Sequence, residues 1–206
     1  MFHVKHDLPE NAVDVFEQCS LLGIHSVPAD FSEKVALFTD LLDSCRNRLN
    51  LVGPEEMSRI WRRHILESVA FAGFLNGSSV IDIGTGAGFP GFILALLGLD
   101  VVLVEPRRRR CAFLEVVARE CGIKCSIIEK RIENAGPFLP GTEFTAKSVK
   151  DPFTLISLIA KTECSSFRLL TRASDSKLSG KKGFLLTKLP VPPLDRPGFL
   201  VQYSHS

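Results

Sequence analysis

Over the first 76 residues apolar positions recur at three- and four-residue spacing; beyond them they gather into short runs separated by further helical stretches. Asp7 and Glu10 form a capping pair with Pro9 in the first turn, which predicts a helix running toward Leu22 and stopping at Gly23. A second pair, Asp30 and Glu33, predicts a helix that carries Val35, Leu37, Phe38, Leu41, Leu42 and Cys45. A third follows Gly53 and Pro54, sets Met57, Ile60, Trp61, Ile65, Val69 and Ala72 on one face, and ends near Asn76 and Gly77. Residues 1–76 thus read as an all-helical N-terminal extension.

From residue 77 the rhythm changes. Residues 80–83, 101–104 and 125–128 are strand-like, and helical patterns start near Pro90 and near Arg107, the latter reaching Cys121. Such alternation predicts an α/β fold with a parallel sheet covered on both faces. Residues 144–146, 153–160, 184–187 and 199–203 continue the series, so residues 77–206 read as one α/β domain.

Composition narrows the class. The chain has 206 residues, 45% hydrophobic and 23% charged, which is globular and leaves no room for two ordinary domains beside the helices. The longest apolar stretch, 89–99, is interrupted by Pro90, Gly91 and Gly98, too short to span a bilayer. The start reaches Lys5, Asp7 and Pro9 before any apolar segment, so a secretory leader is not expected and a cytoplasmic, monomeric protein without membrane contact is. The cysteines at 19, 45, 111, 121, 125 and 164 show no metal-ligand spacing and are expected as reduced thiols, with no metal bound. Net charge is only +2, yet cations bunch at Arg59, Arg62 and Arg63 with His64, at residues 107–110, and at Lys177, Lys181 and Lys182. Such patches attract phosphate whatever the total charge.

Chemistry concentrates in Val80-Ile81-Asp82-Ile83-Gly84-Thr85-Gly86-Ala87-Gly88-Phe89-Pro90-Gly91, a buried-type strand that runs into glycines and then a helix. Glycines let the backbone approach a ligand, and the helix start is expected to offer free N–H groups. The next strand ends at Glu105, about 20 residues on, where an acid can accept hydrogen bonds from ribose hydroxyls. Gly86, Gly88 and Gly91 formally match a dinucleotide fingerprint, so a nicotinamide oxidoreductase is one reading. Against it, Gly84 rather than Gly86 follows the strand, and Pro90 removes an N–H where a pyrophosphate wants donors. S-adenosylmethionine, which has no phosphates, suits the loop better; Asp82 could face its ammonium or hold the loop.

This loop, preceded by Arg63-His64-Ile65-Leu66-Glu67-Ser68 and followed by Leu103-Val104-Glu105 and Phe113-Leu114, resembles the bacterial 16S ribosomal RNA guanine-N7 methyltransferases, the glucose-inhibited division protein B or RsmG family. The similarity covers roughly residues 30–135. It implies a class I, Rossmann-like methyltransferase sheet, S-adenosylmethionine as donor, and 16S rRNA or the small ribosomal subunit as partner. Carried over, Gly84 and Phe89, with Gly86 and Gly88, would meet the cofactor, Glu105 the ribose, and Ile132 and Glu133 the adenine, with Arg131 preceding them. The family's Arg-Ala dipeptide has Lys147-Ser148 as its counterpart, so Lys147 would also meet the cofactor, and its Lys-Gly turn has Lys188-Leu189. Those departures keep open a non-catalytic RNA-binding protein on a methyltransferase scaffold.

Guanine N7 carries a lone pair and no proton, so its methylation needs alignment rather than a general base. Arg63, His64, Arg131, Lys147 and Lys188 are therefore expected to position RNA rather than to exchange protons. Trp61 and Phe113 are expected in the core, and the run 107–110 reads equally as an RNA-facing strip or a solvated first turn.

Overall fold

The computed structural model describes residues 8–9 and 12–205. Among them the helices α1 (Ala12–Leu21), α2 (Phe31–Leu49) and α3 (Pro54–Met57) come first, followed by a π-helical turn (Trp61–Ile65) that runs into α4 (Leu66–Ala72). The rest is β1 (Ser79–Ile83), α5 (Gly91–Leu96), β2 (Asp100–Val104), α6 (Arg108–Glu120), β3 (Ser126–Ile128), a 3-10 turn (Ile132–Asn134), β4 (Thr142–Ala146), α7 (Pro152–Ala160), β5 (Phe167–Ala173), β6 (Phe184–Lys188) and β7 (Phe199–His205). The strands form one seven-stranded sheet in the order β3-β2-β1-β4-β5-β7-β6. The first five run parallel and β7 runs antiparallel to both its neighbours.

Strand alternation divides the core between two faces. Val80, Val101 and Leu103 point to one side, into a cluster with Phe92, Ile93 and Leu94 of α5, Phe113, Leu114 and Val117 of α6, and Phe31, Phe38 and Leu42 of α2. Ile81, Ile83, Val104, Phe144 and Ala146 point to the other, against Leu155 and Ile159 of α7. The N-terminal helices therefore thicken one sheet face and share its core. Trp61 is 1% and Phe113 5% exposed, as the apolar spacing required.

Several elements differ from expectation. The third helix is broken, because Ser58 returns its hydroxyl to the Glu55 carbonyl and Leu66 N–H reaches back five residues to Trp61. The pair Asp7 and Glu10 lies outside the described residues. Asp30 makes no side-chain cap and instead pairs with Lys34 at 2.8 Å. Residues 153–160 continue the series as a helix, started by Asp151, whose carboxylate accepts from Thr154 N–H, and by Pro152. Strand β5 was not anticipated at all.

Candidate functional site

The parallel strands end on one edge, and the loop after β1 lies there beside the ends of β2 and β4. Gly84 holds φ of 63° and a Cβ there would stand 2.9 Å from Val149, so both backbone and space require glycine. Most of the loop's donors are already used. Gly84 and Thr85 N–H bond the Val104 carbonyl, Gly88 and Phe89 N–H bond the Thr85 carbonyl, and Gly86 N–H bonds the Glu105 carboxylate at 3.1 Å. At the start of α5, Gly91 N–H is taken by Asp82 at 2.9 Å and Phe92 N–H by the Gly88 carbonyl. The expectation of free N–H groups at this helix start is thus corrected: the loop spends them on its own closure. A diphosphate would lack the donors it needs, which removes the basis of the nicotinamide reading.

Asp82 holds the loop rather than facing a ligand. It is fully buried, accepts from Gly91 N–H and from the Thr145 hydroxyl, and burial pushes its carboxyl up to about 6 against the pull of those bonds. Gly91 is required by close approach, since a Cβ there would lie 2.6 Å from Asp82 Cβ.

Glu105 has the opposite character. Its Oε2 accepts from Gly86 N–H and its Oε1 from Arg107 N–H at 2.9 Å, which leaves one acceptor position on each oxygen. Two adjacent acceptors match a ribose diol. Arg110 Nη1 stands 3.9 Å from this carboxylate while Nη2 bonds the Asn50 carbonyl, and its buried Nε has no partner. Burial lowers the Arg110 guanidinium from its ordinary range. Arg107, Arg108 and Arg109 are exposed, so the basic run splits into three solvated members and one turned toward the cleft. Arg110 escaped the sequence reading because four consecutive arginines give no sign of which one turns inward. The glycine loop, Glu105 and the unpaired Arg110 Nε fit a nucleoside with a small zwitterionic tail.

On the other side of the loop, the π turn brings Arg63 and His64 against Lys147 at the end of β4. Lys147 Nζ donates to the Arg63 carbonyl at 3.1 Å, lies 3.3 Å from His64 Nδ1 and 3.8 Å from Glu67, and sits over the Phe89 ring at 5.6 Å. Burial lowers its ammonium to about 8, offset in part by Glu67. His64 stacks at 5.0 Å from Phe89 and its Nε2 meets Glu56 at 2.9 Å; burial and the Lys147 charge hold its imidazole down at about 3, so it is neutral. Glu67, 2% exposed, is approached by Arg172 Nε at 3.0 Å and Arg63 Nη1 at 3.9 Å as well as by Lys147. Glu67 stood within the quoted Arg-His-Ile-Leu segment, yet its role needed the fold, because Lys147 reaches it from just after β4 and Arg172 from β5.

The remaining expected residues are scattered. Ile132, the first residue of the 3-10 turn, is buried in the core, and Glu133 borders a cavity of about 140 Å³ with Lys161, Thr162 and Glu163. Arg131 is exposed just before that turn. Lys188 is exposed at the end of β6, four strands away from β1, so the structure does not bring it to the glycine loop. A cavity of about 660 Å³ between residues 76–81 and 137–143 opens at the opposite edge of the sheet, where Glu143 is spent on Asn76 and Gly77 N–H and on Arg168. Volume alone would have misplaced the site.

This strand order, with an antiparallel β7 and a ligand loop after the central β1, is the class I S-adenosylmethionine-dependent methyltransferase fold. A methyltransferase structure from Geobacter sulfurreducens superposes with a TM-score of 0.57 at 14% identity, covering 97% of this chain and 99% of that one. A mutant of MtNAS in complex with S-adenosylmethionine gives 0.55 at 16% identity, covering 94% and 81%. The family model described as rRNA small subunit methyltransferase G matches residues 32–151, and the chain belongs to that family. It is 36% identical over 189 residues to the ribosomal RNA small subunit methyltransferase G of Paramagnetospirillum magneticum, covering 88% of this chain and 91% of that one. With the protein of the same name from Gluconobacter oxydans it shares 38% over 126 residues, covering 60% and 65%.

Proposed function

We propose that this chain transfers a methyl group from S-adenosylmethionine to N7 of a guanine in small-subunit ribosomal RNA. The observation that carries the reading is Glu105, a buried carboxylate with one acceptor position left on each oxygen, beside a glycine loop most of whose N–H groups are already bonded. S-adenosylmethionine supplies an electrophilic methyl on a sulfonium, and the chain's residues bind and orient. Glu105 would hold the ribose hydroxyls and the Gly84 turn would lie against the amino-acid end. Phe89, held between Phe38 and His64, would wall the cleft from water. The acceptor nitrogen has no proton to lose, and the neutral, fully engaged His64 and the buried Lys147 are consistent with a site that provides no base. Ile132, Glu133, Arg131 and Lys188 remain assigned to adenine and RNA by family resemblance.

No described helix is long and apolar enough to cross a membrane. We further propose a cytoplasmic protein that acts as a monomer, with residues 1–76 as an appendage of the catalytic unit 77–206. The test is tritiated-methyl transfer to small subunits or naked RNA lacking the modification, followed by borohydride and aniline cleavage, which cuts at 7-methylguanine. Label in a single guanine supports the reading. RNA binding without transfer would favour a non-catalytic assembly protein, and label at another atom would refute the N7 assignment.

A further inference from the structure

Beyond Lys147, away from the glycine loop, a polar cavity of about 260 Å³ is lined by Arg63, Glu67, Ser148, Arg172, Arg196 and Pro197, among others. No part of the cofactor reading uses it. Its walls come from three separate parts of the chain: the π turn and α4, the loop after β4, and the segment from the end of β5 to the start of β7.

The cavity is built around a fixed cation. Arg172, whose side chain is 10% exposed, donates through Nη1 to the Ala173 carbonyl at 2.7 Å and through Nη2 to the Pro197 and Arg196 carbonyls at 3.0 and 3.3 Å. Its Nε is buried, lies 3.0 Å from Glu67, and still lacks a hydrogen bond of acceptable geometry. These carbonyls hold the backbone of Arg196 beside the cavity, while the Arg196 side chain and Ser148 are solvent-exposed at its mouth.

Charge does not balance here. Arg59, Arg63, Lys147, Arg172 and Arg196 face only Glu56, Glu67 and Asp195, which pair with the first four of these cations. That leaves an excess of two positive charges in this group. Low-dielectric walls focus such a field, and among the described residues no ion pair engages the Arg196 side chain.

We infer that this cavity is a phosphodiester subsite, in which Arg196 and the Ser148 hydroxyl contact an RNA phosphate next to the acceptor nucleotide while the partly buried Arg63 and Arg172 supply a fixed positive field. The inference rests on RNA being the substrate. A phosphate contact positions the strand without reading its sequence, and no residue of the glycine loop lines this cavity.

The test compares wild type with Arg196→Gln, whose site is exposed and whose loss should leave the fold intact, and with Arg172→Gln as a second variant. Binding of a small-subunit RNA fragment is measured between 50 and 200 mM KCl. Removing one phosphate contact should flatten the log–log salt slope by roughly 0.7 and weaken binding several-fold, uniformly across sequences. Affinity for S-adenosylmethionine should stay at the wild-type value, and Lys177→Gln, at a solvated cation paired with Asp175, should not flatten the slope. An unchanged slope in Arg196→Gln overturns the subsite. So does calorimetric binding of inorganic phosphate that Arg196→Gln abolishes while the RNA slope stays put, which would mark a free-anion pocket. A flattened slope in a protein that transfers no methyl keeps the subsite and sinks the proposed reaction instead.

Discussion

The Lys147 ammonium donates to the carbonyl of Arg63 at 3.1 Å, across 84 positions of sequence. This bond fastens the π turn of the N-terminal helices to the end of β4 and so fixes one wall of the cleft. Around it, the buried Glu67 carboxylate meets Lys147, Arg172 and Arg63 together.

Glu67→Ala should therefore be strongly destabilising. It leaves buried cations without their counter-charge, a change that costs about 3–5 kcal/mol, where surface pairs lose less than about 1 kcal/mol. Urea denaturation reads it directly. A loss within about 1 kcal/mol would show that the cluster is solvated.

The glycines of the loop should separate by mechanism. Gly91→Ala forces a Cβ to 2.6 Å from Asp82 Cβ and 2.5 Å from Leu103 Cδ2, and should lower the melting temperature by on the order of 5 °C. Gly53→Ala, with nothing within 4 Å and φ of −72°, should change it little. Equal effects of the two would contradict the close-packed turn.

Two buried groups give stability opposite pH slopes. His64 is held down at about 3 from an unfolded value of 6.5, so the unfolded chain binds the extra proton and stability rises with pH across that window. Asp82 is raised from 3.8 to about 6, so the folded chain binds the proton and stability falls across 3.8 to 6, then levels. Asp82→Asn keeps an acceptor for Gly91 N–H, and should steepen the rise toward pH 6.5. His64→Gln should remove it. Urea midpoints between pH 4 and 8 distinguish the two, and an Asp82→Asn profile that matches wild type would show that Asp82 does not titrate in this window.

Lys147 adds a further limb. Its amine is held down at about 8 from 10.5, so stability should rise between pH 8 and 10.5 as the unfolded chain retains the proton. Lys147→Met should flatten that limb, and a limb that survives the substitution belongs to another group.

The helix-then-sheet plan was legible because its signals are local. Strand β1, its glycines and Glu105 lie within one short stretch, and parallel strands align their ends without help from distant sequence. Strand β5 was missed because Arg168, Thr171 and Arg172 interrupt the apolar Phe167, Leu169 and Leu170, and their polar groups find a place only once Arg168 meets Glu143 and Arg172 meets Glu67. Lys188 was favoured for its sequence context, yet β6 sits at the sheet's edge, and strand order is not written in any one segment. Asp82 could be read either way because a strand-end carboxylate serves a loop or a ligand, and only the bonds from Gly91 and Thr145 decide it.

The central claim is that Glu105 and the loop at Gly84 hold S-adenosylmethionine. Calorimetric titration of wild type and Glu105→Ala with that compound tests it most directly. One-to-one binding that weakens by roughly 10- to 100-fold in the variant, the equivalent of about 1–3 kcal/mol for bonds to a charged acceptor, is the expected result. No heat from the wild type, or equal affinity in both proteins, would contradict the account.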